Sequence, residues 1–148
     1  MAPVNEVVAQ CFHNSAALFG REIEWFEQPK VLRYGPGNSY GMHADNCYRA
    51  STENFWTKKI DRDISLLIYL NEDFVGGSLS FEKFFYSYQP KVGDLLLFPS
   101  DNRYKHGANP VHSGIRYVIV SWGAFLGEPR VHAKPIAKHI LMSNVPYL

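Results

Sequence analysis

The chain is nearly without cysteine: Cys11 and Cys47 are the only two in 148 residues, so a disulfide scaffold of the secreted kind is not implied. Long apolar runs are missing as well. The longest, such as Ser65-Leu66-Leu67-Ile68-Tyr69-Leu70, fall far short of the roughly 20 residues that span a bilayer. The N-terminus lacks the basic-then-apolar pattern of a secretory signal. Charge of one sign is absent too, with 15 Lys+Arg against 14 Asp+Glu and a formal net charge of +1. No single-sign field therefore draws the chain onto nucleic acid. Internal repeats and low-complexity segments do not occur. The expectation is a cytoplasmic globular protein with no membrane attachment and no obligatory nucleic-acid partner. Its oligomeric state is not readable.

Aromatic residues are plentiful: 9 Tyr, 10 Phe and 3 Trp make up 15% of the chain. They suit strands, and the length predicts one domain over residues 1–148. Residues 3–19 read as a helix, because Val4, Val7, Val8, Cys11, Phe12 and Leu18 recur near helical spacing and Gly20 closes the stretch. One apolar stripe should pack that helix on the outside of a sheet. Short strands follow at 30–34, 40–45, 64–70, 78–81, 84–88, 95–98, 104–107 and 115–122, with turn residues between them. The segment 64–70 is nearly all apolar, as in a strand covered on both faces. Residues 47–61 read as a long irregular loop of the kind that often covers a site. The tail from 127 to 148 gives no readable pattern. This order predicts a mainly β fold, a sandwich or jelly roll with an N-terminal helix on the sheet.

His43-Ala44-Asp45 is a His-x-Asp pair. Two residues apart on a strand, both side chains face the same way and can share one metal. A distant imidazole would complete three ligands and leave open positions, the arrangement of a non-haem Fe(II) site. By itself the pair is weak, since a surface His beside a solvated Asp is common. His106, just before Gly107, is the candidate third ligand. Its ordinary alternative is a turn histidine bonded to backbone, and His112, in an expected turn from Pro110 to Gly114, competes with it for the role. Arg116 adds a second signal. It sits in the apolar run Ile115-Arg116-Tyr117-Val118-Ile119-Val120, where a charge is costly unless paired. A guanidinium fork suits a carboxylate. A dicarboxylate held by a metal at one end and by Arg116 at the other accounts for both signals.

The blocks Tyr34-Gly-Pro-Gly-Asn-Ser-Tyr40-Gly-Met-His43-Ala-Asp45-Asn46, Leu67-Ile-Tyr69-Leu-Asn71, Gly76-Gly77-Ser-Leu-Ser-Phe81, Pro90-Lys-Val-Gly93-Asp94-Leu-Leu-Leu-Phe98-Pro99, His106 and Gly114-Ile-Arg116-Tyr117 come in a telling order. Over 31–122 the chain resembles the 2-oxoglutarate/Fe(II)-dependent dioxygenases, in particular their prolyl 4-hydroxylase-like branch. The resemblance implies a double-stranded β-helix with His43, Asp45 and His106 as iron ligands and Arg116 as partner of the 2-oxoglutarate C5 carboxylate. It implies that the Tyr69 hydroxyl helps hold that carboxylate and that Tyr34 lines the cosubstrate cavity. Tyr40, Arg62 and Trp122 become candidates for the substrate side, and the segment 46–62 a border of its entrance. The cofactors implied are Fe(II), 2-oxoglutarate as cosubstrate and O2, with ascorbate as an accessory reductant. The reaction implied is hydroxylation of an amino-acid side chain, foremost a prolyl residue in a protein or peptide. A free amino acid or small metabolite is the alternative substrate. Asp45 argues against halogenation, which needs its coordination position for a halide. Two departures accompany the resemblance. The chain is short, and the spacing from Tyr34 to His43 is one residue less than in the hypoxia-sensing prolyl hydroxylases. A non-catalytic jelly roll binding metal or carboxylate, and a cupin-type metalloenzyme without 2-oxoglutarate, are the competing readings.

Overall fold

A computed structural model describes residues 2–146. In chain order the elements are helix α1 (Ala2–Phe19), then strands β1 (Ile23–Glu27), β2 (Lys30–Tyr34), β3 (Tyr40–His43), β4 (Cys47–Tyr48), β5 (Thr57–Lys58), β6 (Ile64–Tyr69) and β7 (Phe74–Gly76). They continue with β8 (Leu79–Phe81), β9 (Tyr86–Tyr88), β10 (Leu95–Pro99), β11 (His106–Ala108), β12 (Val111–Gly114), β13 (Arg116–Phe125) and β14 (His139–Leu141). The major sheet runs β10-β6-β13-β1-β14, and β2 lies alongside the first half of β13. Facing it is a four-stranded sheet, β3-β11-β8-β9, with the pair β12-β7 beside it. This is the expected double-stranded β-helix with one helix on its outer face.

Two apolar layers follow from strand alternation. From β6, Ile64 and Leu66 turn outward to meet Val8, Ala9 and Phe12 of α1 together with Phe26 and Ile119. Leu67 and Tyr69 of the same strand turn inward, to meet Leu79, Phe98, Val118 and Val120 between the sheets. The near-continuous apolar run of β6 is thus explained by cover on both faces. Gly123 lets the helix approach: a Cβ there would lie 3.0 Å from Ile64 and 3.2 Å from Phe12. Gly20, at φ +61°, ends α1 as expected.

Several elements differ from the sequence expectation. β1 reads poorly because Glu24 and Glu27 interrupt Ile23-Glu-Trp-Phe-Glu and because its register to β13 shifts between Ile23 and Trp25. The tail is not featureless. Its strand β14 pairs with β1, Trp25 opposite Leu141, and Asp61 accepts the backbone N–H groups of Val131 and His132 at 2.8 and 3.1 Å. Tyr147 and Leu148, the end of that tail, lie outside the described residues. The irregular segment 47–61 contains the short ladder β4-β5, and residues 111–114 form a strand rather than a turn. The strand expected at 40–45 stops at His43, and the one expected at 84–88 is a turn followed by β9.

Candidate active site

Antiparallel pairing of β3 with β11 sets His43 directly opposite His106. Asp45 lies just past the end of β3, so strand parity alone does not aim it. Its backbone N–H and that of Asn46 both donate to the Ser100 carbonyl at 3.0 Å, which ties the turn to the end of β10. The result is one cluster: the donor atoms of His43, Asp45 and His106 lie within 4.8 Å of one another. His112 is exposed on β12 and is not part of it. Pairing of β11 with β3, which no local pattern announces, decides between the two histidines.

Each imidazole is oriented by its backbone. His43 Nδ1 donates to the Gly41 carbonyl at 2.8 Å, and His106 Nδ1 to the Tyr104 carbonyl at 2.9 Å. With those protons committed, the Nε2 atoms are the free ligand atoms. They lie 3.1 Å (His43) and 3.6 Å (His106) from the Asp45 carboxylate. Ser65 Oγ donates to that carboxylate at 2.6 Å and is itself 2.8 Å from Ser100 Oγ. Burial pushes the Asp45 carboxyl up, but the bond from His43, the charge on His106 and bonds from Ser65 and Trp122 outweigh it and hold the pKa at about 2. Burial likewise disfavours the charged form of His43, yet its bond to Asp45 leaves its pKa raised. For His106 burial outweighs the Asp45 charge and the bond to the Tyr104 carbonyl, and its pKa is lowered.

The cluster opens onto a cavity of about 490 Å³ between the sheets. At its other end stands Arg116, 2% exposed. Its guanidinium donates to the Gly77 carbonyl at 2.5 Å and stacks 4.1 Å above the Tyr34 ring. No carboxylate of the described residues pairs with it. Arg116 Nε and the Tyr69 hydroxyl, both on the cavity wall, are buried without any hydrogen-bond partner. Burial lowers the Arg116 pKa from its ordinary value and raises that of Tyr69 to about 12. Guanidinium and phenol therefore both present protons to the cavity at neutral pH. Two unsatisfied donors beside an uncompensated cation form a cradle shaped for a carboxylate.

The chain from 29 to 123 matches the sequence profile of the 2OG-Fe(II) oxygenase superfamily. The chain belongs to that superfamily. A protein of Acanthamoeba polyphaga mimivirus assigned as a prolyl 4-hydroxylase is 30% identical over 128 residues, which are 80% of this chain and 53% of that protein. The viral collagen prolyl hydroxylase of Paramecium bursaria Chlorella virus-1, solved with 2-oxoglutarate, superposes with a TM-score of 0.64 at 21% identity, covering 81% of this chain and 71% of its own. A Trichoplax adhaerens prolyl hydroxylase, solved with a hypoxia inducible factor peptide, gives a TM-score of 0.60 at 26% identity, covering 82% of this chain and 52% of its own. The present chain spans about half the length of the curated relatives it matches.

The remaining residues singled out from the sequence line the same cavity. Tyr34 lies under Arg116, and Tyr40, 57% exposed, stands at the mouth with its ring 4.5 Å from that of His43. Trp122 lines the cavity, and the Arg62 guanidinium lies 3.7 Å from the centre of its ring. Arg62 is already engaged, because Glu27, 1% exposed, accepts from it at 2.6 and 2.9 Å. Of the segment 46–62, only Arg62 reaches the cavity wall; Phe55 and Trp56 do not. Sequence reasoning missed Ser65, Ser100, Glu27 and Lys30. Ser65 had a signal, a serine inside the most apolar strand. Glu27 had a similar one, while the register that places Ser100 and Lys30 is a tertiary property.

Proposed function

We propose that this chain is the core of an Fe(II)- and 2-oxoglutarate-dependent dioxygenase that hydroxylates an amino-acid side chain, with a prolyl residue of a protein or peptide as substrate. The observation that carries the reading is Arg116, a buried cation with no carboxylate of its own, sharing one cavity with the His43–Asp45–His106 cluster. Burying an unpaired charge costs several kcal/mol. A structure retains it where a ligand supplies the counter-charge.

In this reading His43 and His106, through Nε2, and Asp45 hold the metal. Arg116 and Tyr69 hold the C5 carboxylate of 2-oxoglutarate. Bound there, Fe(II) and 2-oxoglutarate supply O2 activation coupled to decarboxylation, so that R–H, 2-oxoglutarate and O2 become R–OH, succinate and CO2. The chain's own work is placement. Gly41 and Tyr104 fix the imidazole tautomers, and Ser65 occupies one carboxylate oxygen of Asp45. Tyr34 backs the Arg116 guanidinium, whose carbon lies 4.1 Å from the centre of its ring. The apolar wall of Leu67, Leu79, Val118 and Val120 keeps the cosubstrate's carbon chain dry, which strengthens its charge contacts. A cupin-type site would leave Arg116 and Tyr69 without partners. No helix of the described residues is long and apolar enough to cross a membrane. The two free thiols, Cys11 and Cys47, suit a reducing, cytoplasmic setting.

The test is succinate formation by anaerobically iron-loaded protein given 2-oxoglutarate, a pool of proline-containing peptides and then air. Wild type should form succinate in an Fe(II)-dependent way and add one oxygen to a peptide, and His43→Ala should do neither. Absence of both succinate and 2-oxoglutarate binding in the wild type would overturn the reading and leave a metal-binding jelly roll.

A further inference from the structure

Strand alternation puts Lys30, Leu32 and Tyr34 of β2 on the cavity wall, while Val31 between them is 57% exposed on the other face. Leu32 and Tyr34 pack into the inner core. Lys30 does not, and its side chain stays exposed at the mouth. Among the described residues it forms no ion pair. Its ammonium lies 5.8 Å from the centre of the Trp122 ring, and Trp122 and Asp45 line the same cavity. Lys30 thus shares one wall with the carboxylate of the proposed metal site.

The charges on the wall can be counted. Lys30, Arg62 and Arg116 are cations, and Asp45 is an anion. Glu27 neutralises Arg62. With Fe(II) and 2-oxoglutarate in place, Asp45 and one cosubstrate carboxylate match the metal's two charges, and the other carboxylate matches Arg116. Lys30 is the cation left over. It is a mobile ammonium with three donors, at the open end where the primary substrate enters.

We propose that Lys30 is a specificity residue that receives a carboxylate of the primary substrate. Three sources share that chemistry: an acidic side chain beside the target residue, a peptide C-terminus, and the α-carboxylate of a free amino acid. The proposal rests on the hydroxylase reading above. Its rival is a structural role in which the methylenes of Lys30 cover Trp122 and the charge is idle.

The experiment uses the full chain as wild type, Lys30→Gln and Lys30→Glu. The probes are acetyl-Ala-Pro-X-Ala-amide with X as Glu, Gln or Lys, acetyl-Ala-Pro with a free or amidated terminus, and L-proline beside its amide. Binding to Mn(II)- and 2-oxoglutarate-loaded protein is measured by calorimetry, and one-oxygen mass gain is followed with Fe(II) in air. Wild type should bind at least one acid-bearing probe roughly fivefold more tightly than its neutral partner, the range of a partly exposed ion pair, and salt should weaken the preference. The source is the probe type that shows it. Lys30→Gln should remove the preference, and Lys30→Glu should turn it toward the Lys-bearing peptide. No wild-type preference for any acid, or a preference that survives Lys30→Gln, overturns the proposal. Lys30-dependent binding with no oxygen transfer to any probe would count against the hydroxylase reading and leave Lys30's role standing. Oxygen transfer without charge preference would do the reverse.

Discussion

Replacing Arg116 by Met keeps most of the side chain's volume and removes a cation that is 2% exposed and unpaired among the described residues. The two consequences have opposite signs. If the guanidinium exists to meet a carboxylate, its loss leaves that carboxylate buried without a counter-charge, at about 3–5 kcal/mol. That is roughly a 150- to 5,000-fold loss of 2-oxoglutarate affinity. At a concentration 100 times its dissociation constant, 2-oxoglutarate stabilises the wild type by about 2.7 kcal/mol. For a chain of this size that raises the thermal midpoint by about 5–11 °C. The variant should show no such rise at the same concentration. Without 2-oxoglutarate the balance changes. The variant loses the bond to the Gly77 carbonyl and the stack on Tyr34, but no longer desolvates an unpaired charge. Its midpoint should equal or exceed that of the wild type. Thermal denaturation of the Mn(II)-loaded proteins, with and without 2-oxoglutarate, reads both effects. A variant stabilised by 2-oxoglutarate as much as the wild type, or with the same KM for it, would refute the assignment.

Ser65→Ala removes the 2.6 Å bond to Asp45 and strands Ser100 Oγ; we expect metal affinity to fall about 10- to 100-fold by chelator competition, with the KM for 2-oxoglutarate changing little. In the metal-free protein, His43 has a raised folded pKa, so its stabilising contribution is complete below 6.5 and fades as pH rises through the folded value. Metal affinity should run the other way, rising with pH as the proton leaves Nε2, and opposite slopes in denaturation and metal titration would confirm the pairing. Asp45 contributes stability above the ordinary value of 3.8 that disappears only as pH falls through about 2, so acid titration of the metal-free protein should show its carboxyl still ionised at pH 3. Phe12→Ala empties the seat of α1 on the major sheet and should cost about 3–5 kcal/mol in denaturant unfolding while 2-oxoglutarate affinity stays intact.

How much of this was readable in advance follows from the range of each interaction. The helix over 2–19, the doubly covered strand β6 and the His-x-Asp pair rest on patterns within a few residues, and they were legible. Arg116 was legible as well, because a charge inside an apolar strand is anomalous on sequence alone. β1 and β14 were not: β1 is held by β13 and β14, each about a hundred positions away, β14 is held by β1, and their local patterns are broken by Glu24, Glu27 and the prolines of the tail. The same limit applied to the site. Sequence determined which residue types were available for a metal and a dicarboxylate, since those chemistries need imidazole, carboxylate and guanidinium. The resemblance already preferred His106 to His112, and the pairing of β3 with β11 supplied the physical reason; only the tertiary structure set Ser65 and Ser100 behind Asp45, took Arg62 out of circulation with Glu27 and left Lys30 without an ion pair among the described residues. Those choices depend on strand register and sheet packing, and a register shift of one residue would turn the strand residues among them, His106, Ser65, Glu27 and Lys30, to the opposite face.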